Sequence, residues 1–140
     1  MEAKELMIGD WVECVDSTHK KKVYAQIDAI EEGQTCILVE KDNSNWFLDI
    51  SLLKPIPLQR IHLIKNGFEA REETDDTEFY YYDCYEINVS FDEGISEENI
   101  PPIIFLTIEF AEKSNAMPIE YVHELQNAMR IMGCDKEIEL

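Results

Sequence analysis

Val23-Tyr24-Ala25-Gln26-Ile27-Asp28-Ala29-Ile30-Glu31-Glu32-Gly33-Gln34-Thr35-Cys36-Ile37-Leu38-Val39-Glu40 is the stretch that decides the fold of the first part of this chain. Val23, Ala25, Ile27 and Ala29 alternate with Tyr24, Gln26, Asp28 and Ile30, the period of a half-buried strand. Glu31 to Gln34 reads as a hairpin turn, because Gly33 accepts the positive φ such turns need, and Thr35 to Glu40 is the returning strand. Upstream, Leu6 to Val15 opens with a Gly9-Asp10 turn and continues with alternating apolar residues. Downstream, Lys41 to Asn45 is a polar turn, Trp46 to Ile50 a fourth strand, and Leu52 to Pro55 a short closing turn. Strands this short and this evenly spaced predict a small SH3-like β-barrel, and with it a first domain over residues 1–57.

Pro55-Ile56-Pro57 interrupts the strand pattern, since proline lacks an amide donor and restricts the residue before it. Residues 58–140 then read as an α+β unit, which makes the whole chain α+β. Leu58, Ile61, Ile64 and Phe68 fall at helical spacing with Gly67 as the C-terminal cap. Glu69 to Glu78 carries seven charged residues and reads as a solvated loop. Phe79 to Tyr82 and Tyr85 to Phe91 are two strands joined at Asp83-Cys84. Asp92 to Pro102 is an acidic loop, and Ile103 to Phe110 is a central strand with Ile104, Leu106, Ile108 and Phe110 on one face. Ser114-Asn115 starts a turn, Pro118 suits a first helical turn, and Ile119, Val122, Leu125, Met129 and Met132 recur as one apolar stripe before Gly133. Lys136 to Leu140 closes the chain as an edge strand.

Composition narrows the function classes. The chain has 140 residues, 30 acidic against 12 basic, and a formal net charge of −18. A surface this negative repels a phosphate backbone, so no direct nucleic-acid binding is expected. Hydrophobic residues make up 45% of the chain, enough for a folded core at this length. No apolar run approaches the ~20 residues that span a bilayer, and the start has no export signal, so the expected location is cytoplasmic. Cys14, Cys36, Cys84 and Cys134 are dispersed and read as reduced, buried thiols.

Three segments, Glu5 to Val12, Lys54 to Leu58 with Lys65 to Phe68, and Tyr121 to Asn127, together resemble a group of uncharacterised small proteins encoded by gut bacteria and their phages or prophages. The resemblance implies an intracellular accessory protein with phage associations and no assigned activity. It does not extend to the acidic stretch from Glu69 to Pro101.

No catalytic, cofactor or metal site emerges. His123-Glu124 is similar to the start of HExxH, but Asn127 stands where the second histidine belongs, and His19 and His62 lie in other elements. These helix residues read as a solvated face. Five glycines form no phosphate cradle, and no cysteine or serine has a recognisable activating base. Neither Asp75-Asp76 nor Asp92-Glu93 has calcium-loop spacing. His19 to Lys22 is the sole basic run and reads as a solubilising turn.

The expected role is therefore a non-enzymatic protein-interaction module, without cofactor, that meets a basic protein surface through Glu72, Glu73, Asp75, Asp76, Tyr80, Tyr82, Asp92 and Glu93. The alternative is a polyanion mimic, whose carboxylates replace phosphates and block a nucleic-acid-binding or defence protein of the host. A small-ligand binder or hydrolase is a third reading, which needs a deep pocket. The terminal edge strand and the tyrosines also offer surfaces for self-association. Charge locates the candidate surface: residues 1–57 hold 11 acids against 6 bases, whereas residues 58–140 hold 19 against 6.

Overall fold

The computed structural model describes residues 6–15, 21–31, 35–39, 45–74, 77–82, 87–92, 103–110 and 113–140. The described residues form a mixed α+β protein with two antiparallel sheets and two α-helices. Packing divides the chain into two compact units, Met1–Pro57 with Tyr121–Asn127, and Leu58–Glu120 with Ala128–Leu140. The first unit is thus discontinuous in sequence, and residues 121–127 belong with it.

In the first unit, β1 (Trp11–Val15), β2 (Lys22–Glu31), β3 (Thr35–Val39) and β4 (Asn45–Asp49) follow one another as an antiparallel meander. Val12, Cys14, Ala25 and Ile27 point into a core shared with Leu6, Ile50 and Leu53. The register slips between Ile27, opposite Leu38, and Ala29, opposite Ile37. This bulge adds a residue to β2, so Ala29 no longer continues the Val23, Ala25, Ile27 column.

The expected closed barrel is absent among the described residues. After β4, Asp49 caps a one-turn 3-10 helix, Ile50–Leu52, by accepting the Ser51 amide at 2.8 Å. Lys54 then makes a two-way bridge to Glu13, at 2.9 and 2.8 Å, beside β1. Pro55 has no N–H with which to lengthen that bridge into a ladder, and the sheet stays open. The returning segment is held by Val122 N–H on the Ile56 carbonyl at 2.9 Å and by a Pro57–Tyr121 bridge.

The second unit begins with α1 (Arg60–Lys65), followed by β5 (Glu69–Glu73), β6 (Thr77–Tyr82), β7 (Ile87–Asp92), β8 (Ile103–Phe110) and β9 (Lys113–Ile119), which pair in chain order. Helix α2 (Val122–Ile131) starts in the first unit and ends in the second. At the end of α1, Phe68 N–H bonds to the Leu63 carbonyl at 3.0 Å and Gly67 N–H to Ile64 at 3.1 Å, with Gly67 at φ +82°. This is a Schellman cap, and only a residue indifferent to positive φ suits its centre. The buried side chain of the helix is Leu63, whereas Ile61 and Ile64 are exposed. The expected stripe fails because the helix is six residues long, and Leu58 and Phe68, both buried, lie outside it.

Three further expectations are corrected. Glu69 to Glu78 is not a loop: it supplies β5 and the start of β6, with pairing to the tyrosine strand overriding its charge. Ser114 to Pro118 is not a turn into a helix but most of β9, where Pro118 is tolerated because β9 is a sheet edge. Lys136 to Leu140 forms no strand; the tail is irregular, with Ile138 buried. The expected loop at 93–102 and the turn at 83–84 lie outside the described residues.

Candidate interaction surface

The two faces of the five-stranded sheet follow from strand alternation and register. Tyr80 pairs with Val89, Val89 with Leu106, and Leu106 with Met117. Tyr80, Val89 and Leu106 are buried, so this parity is the inner face. The opposite parity forms a second set of rows. Phe79, Ser90, Phe105 and Pro118 make one row, and Tyr81, Asn88, Thr107 and Ala116 the next. On this outer face Ala116 and Pro118 are exposed, Ile103 is 52% exposed, and Phe79, Tyr81 and Phe105 are half-buried.

The tyrosines named from sequence belong to the inner face. Tyr80 is only 5% exposed; its hydroxyl donates to Glu78 Oε2 at 3.0 Å and its ring meets Phe91 edge-on at 5.8 Å. Arg60 completes this cluster, bonding Glu78 through Nε and lying over the Phe91 ring at 5.1 Å. The Arg60 hydrogen bond holds the Glu78 carboxyl below its ordinary range, burial opposes this, and the Tyr80 hydroxyl adds to it. Tyr80 is therefore a packing residue. Tyr82 is half-buried against Phe68 at 5.1 Å. A tetrad of aromatics always presents two to each face, and the buried column Val89 and Phe91 of β7 is what assigns Tyr80 and Tyr82 inward. Phe79 and Tyr81, not selected from sequence, are the ring residues on the open side.

Of the acids, Glu72 and Glu73 lie on the edge strand β5, paired through the backbone with Phe79 and Glu78. Asp92 ends β7 in register with Thr77 and Ile103. Asp75, Asp76 and Glu93 lie outside the described residues. Arg71 on β5 is engaged by Glu69 at 3.7 Å and by the Tyr81 ring at 5.4 Å. The open face thus has an acidic border along β5.

Parts of two segments that carry the sequence resemblance, Met7 to Trp11 and Tyr121 to Asn127, meet in a different place, in the first unit. Asp10 is fully buried; its Oδ2 accepts the Met7 amide at 2.8 Å and Asn127 Nδ2 at 3.4 Å. Gln126 Oε1 accepts the Trp11 amide at 3.0 Å, and Gln126 Nε2 donates to the Gly9 carbonyl at 3.2 Å. Glu124 accepts the Tyr121 amide at 3.1 Å, capping α2, and His123 is buried with its ring stacked on Tyr121. The expected solvated face of His123, Glu124 and Asn127 is thereby corrected: packing on the Gly9–Trp11 turn buries a wider arc of the helix than its apolar stripe. Glu124 and Asn127 are tied into the fold.

Cys14 and Cys134 are buried. Among the described residues no group of three or more His, Cys, Asp or Glu is placed to hold a metal ion, and no helix is long and apolar enough to cross a membrane. Comparison with protein-family models, with curated proteins and with solved structures finds no match to this chain.

Proposed function

We propose that this chain is a non-enzymatic, acidic protein-interaction module whose partner presents a basic surface. The observation that carries this reading is the partly exposed outer face of the five-stranded sheet, with Phe79, Tyr81, Phe105 and Ile103 beside a glutamate-rich edge strand. Exposed apolar area ringed by charge marks an interaction surface, and the charge mainly hastens encounter and selects the partner. Polyanion mimicry requires rows of acids on one face. On the outer face the row Glu72, Phe79, Ser90, Phe105, Pro118 has its acid at the β5 end alone, which weighs against it.

The first unit serves in this reading as an SH3-like scaffold. The 3-10 helix between β4 and Lys54, followed by the bridge from Lys54 to β1, supports that finer description. A cytoplasmic, phage- or prophage-associated accessory role accords with the resemblance noted above.

The test is capture of tagged protein from its native host, with mass spectrometry of what is retained, compared with a variant charge-reversed at Glu72, Glu73, Asp75 and Asp76. A basic protein retained by the parent and lost by the variant is the expected result. Recovery of nucleic acid alone would refute the reading.

A further inference from the structure

The outer face is not flat. Ser90 lies on it yet is only 9% exposed, and its cross-strand neighbours on either side are Phe79 and Phe105. A small residue this buried between two half-exposed rings sits at the floor of a trough. Its column along β7 is Asn88, Ser90, Asp92, all short and polar. The walls are β6 and β8, two strand spacings apart, about 10 Å. That width is too narrow for a helix with its side chains, about 10–12 Å across, to seat in. It suits side chains reaching down from a segment laid above.

The rows recur at every second residue of β7, about 7 Å apart. An extended chain running along β7 presents its own alternate side chains at the same interval. The middle row, between Phe79 and Phe105, favours a long aliphatic stem; the net charge of −18 favours a cation at its end. Arginine and lysine combine the two, burying the stem while the charged head stays near water and carboxylate.

Resting on the interaction-module reading, we infer that this trough takes an extended segment of a basic partner protein in which arginine or lysine alternates with short residues. Charge complementarity selects this occupant over a second copy. Each copy carries −18, and Arg71, the base on the bordering strand, is engaged by Glu69 and Tyr81. Two such faces repel one another over about 8 Å at physiological salt.

The test uses the full chain, isotope-labelled for amide NMR, titrated with a capped six-residue peptide of alternating arginine and serine, and with a glutamate–serine peptide as control. Shift changes concentrated on β6, β7 and β8 with the basic peptide alone are expected. Asn88→Lys, which places a like charge on the trough floor, and Phe105→Ser each weaken binding about tenfold. Asp28→Lys, on the exposed surface of the first unit, changes it less than twofold. Asn88→Lys retains both Phe walls, so a folding defect in Phe105→Ser leaves the test intact. Shifts confined to β5 or to the first unit would overturn the trough while leaving the module reading in place. Equal binding of the glutamate peptide, no binding of either peptide, or dimers in sedimentation abolished by Asn88→Lys would also overturn it. The capture experiment judges the module reading separately.

Discussion

Asn66 holds Glu139, 73 residues further along the chain, by both of its backbone polar groups. Oδ1 accepts the Glu139 amide and Nδ2 donates to the Glu139 carbonyl, each at 2.8 Å, while Nδ2 also reaches the His62 carbonyl at 2.7 Å. The side chain replaces the strand neighbour that the tail lacks. Asn66 is almost wholly buried, so truncation strands several polar groups away from water. Asn66→Ala is expected to cost about 3 kcal/mol, read as a lower urea midpoint. Asn66→Asp, which keeps the acceptor but loses the donor, is also destabilising.

His62 gives stability a dependence on pH near neutrality. Its Nδ1 accepts the Gln59 amide at 3.2 Å, a bond that requires the neutral ring. Burial, and then the Lys65 charge, lower its pKa from 6.5. The unfolded chain therefore takes up this proton at a higher pH than the folded one. The contribution is present above pH 6.5 and declines as pH falls through that value toward the folded pKa. His62→Asn, which retains an acceptor without the titration, flattens the slope of unfolding midpoint against pH in this window.

Glu78 acts in a more acidic window. Its folded pKa lies below 4.5, chiefly through the Arg60 hydrogen bond. Its contribution is present above about pH 4.5 and is lost as pH falls through the folded value. In a carboxyl NMR titration of Arg60→Gln, the Glu78 midpoint rises toward 4.5 without fully reaching it, because the Tyr80 bond remains. An unchanged midpoint would show that Arg60 is not the cause.

Gln126 offers a test of the buried polar lock in the first unit. Gln126→Leu preserves volume but leaves the Trp11 amide without this acceptor. A loss of about 2 kcal/mol is expected, with a change in near-ultraviolet circular dichroism from Trp11. Gln126→Glu keeps the acceptor, loses the donor to Gly9, and buries a charge, so it costs more.

Where alternation was strong, the sequence was legible: β1 to β4, β7 and β8 read directly from apolar period, and Gly67 marked the end of α1. It failed where pairing overrode pattern. Glu69 to Glu73 becomes a strand because β6 offers it a ladder, which outweighs its charge, and Lys113 to Ile119 because β8 does the same. For the proposed surface, the count of charges separates an acidic half of the chain but does not tell one face of the sheet from the other. Tyr80 and Tyr82 are indistinguishable from Phe79 and Tyr81 by residue type, and only pairing with Val89 and Ile87, in the column of buried Phe91, separates them. The polar lock of Asp10, Gln126 and Asn127 was hidden for another reason. Its partners are separated by more than a hundred residues, and no local period reports a contact of that range.

A fragment ending at Pro57 lacks the segment Tyr121–Asn127 that completes its unit. Expressed alone, it is expected to show little amide dispersion by NMR, and supplying residues 121–133 in trans should increase it. A fully dispersed spectrum from the fragment alone would mean the returning segment is dispensable.

The bond between Trp11 and Gln126 also sets an order of events during synthesis. The first meander cannot complete its own unit as it emerges, because Gln126, which helps close it, is translated 115 residues after Trp11. Until then the Gly9–Trp11 turn is without its Gln126 and Asn127 partners, and the first meander waits as an unfinished half. In the cell, this meander is made well before it can be finished, and that interval is its window of exposure to chaperones and proteases.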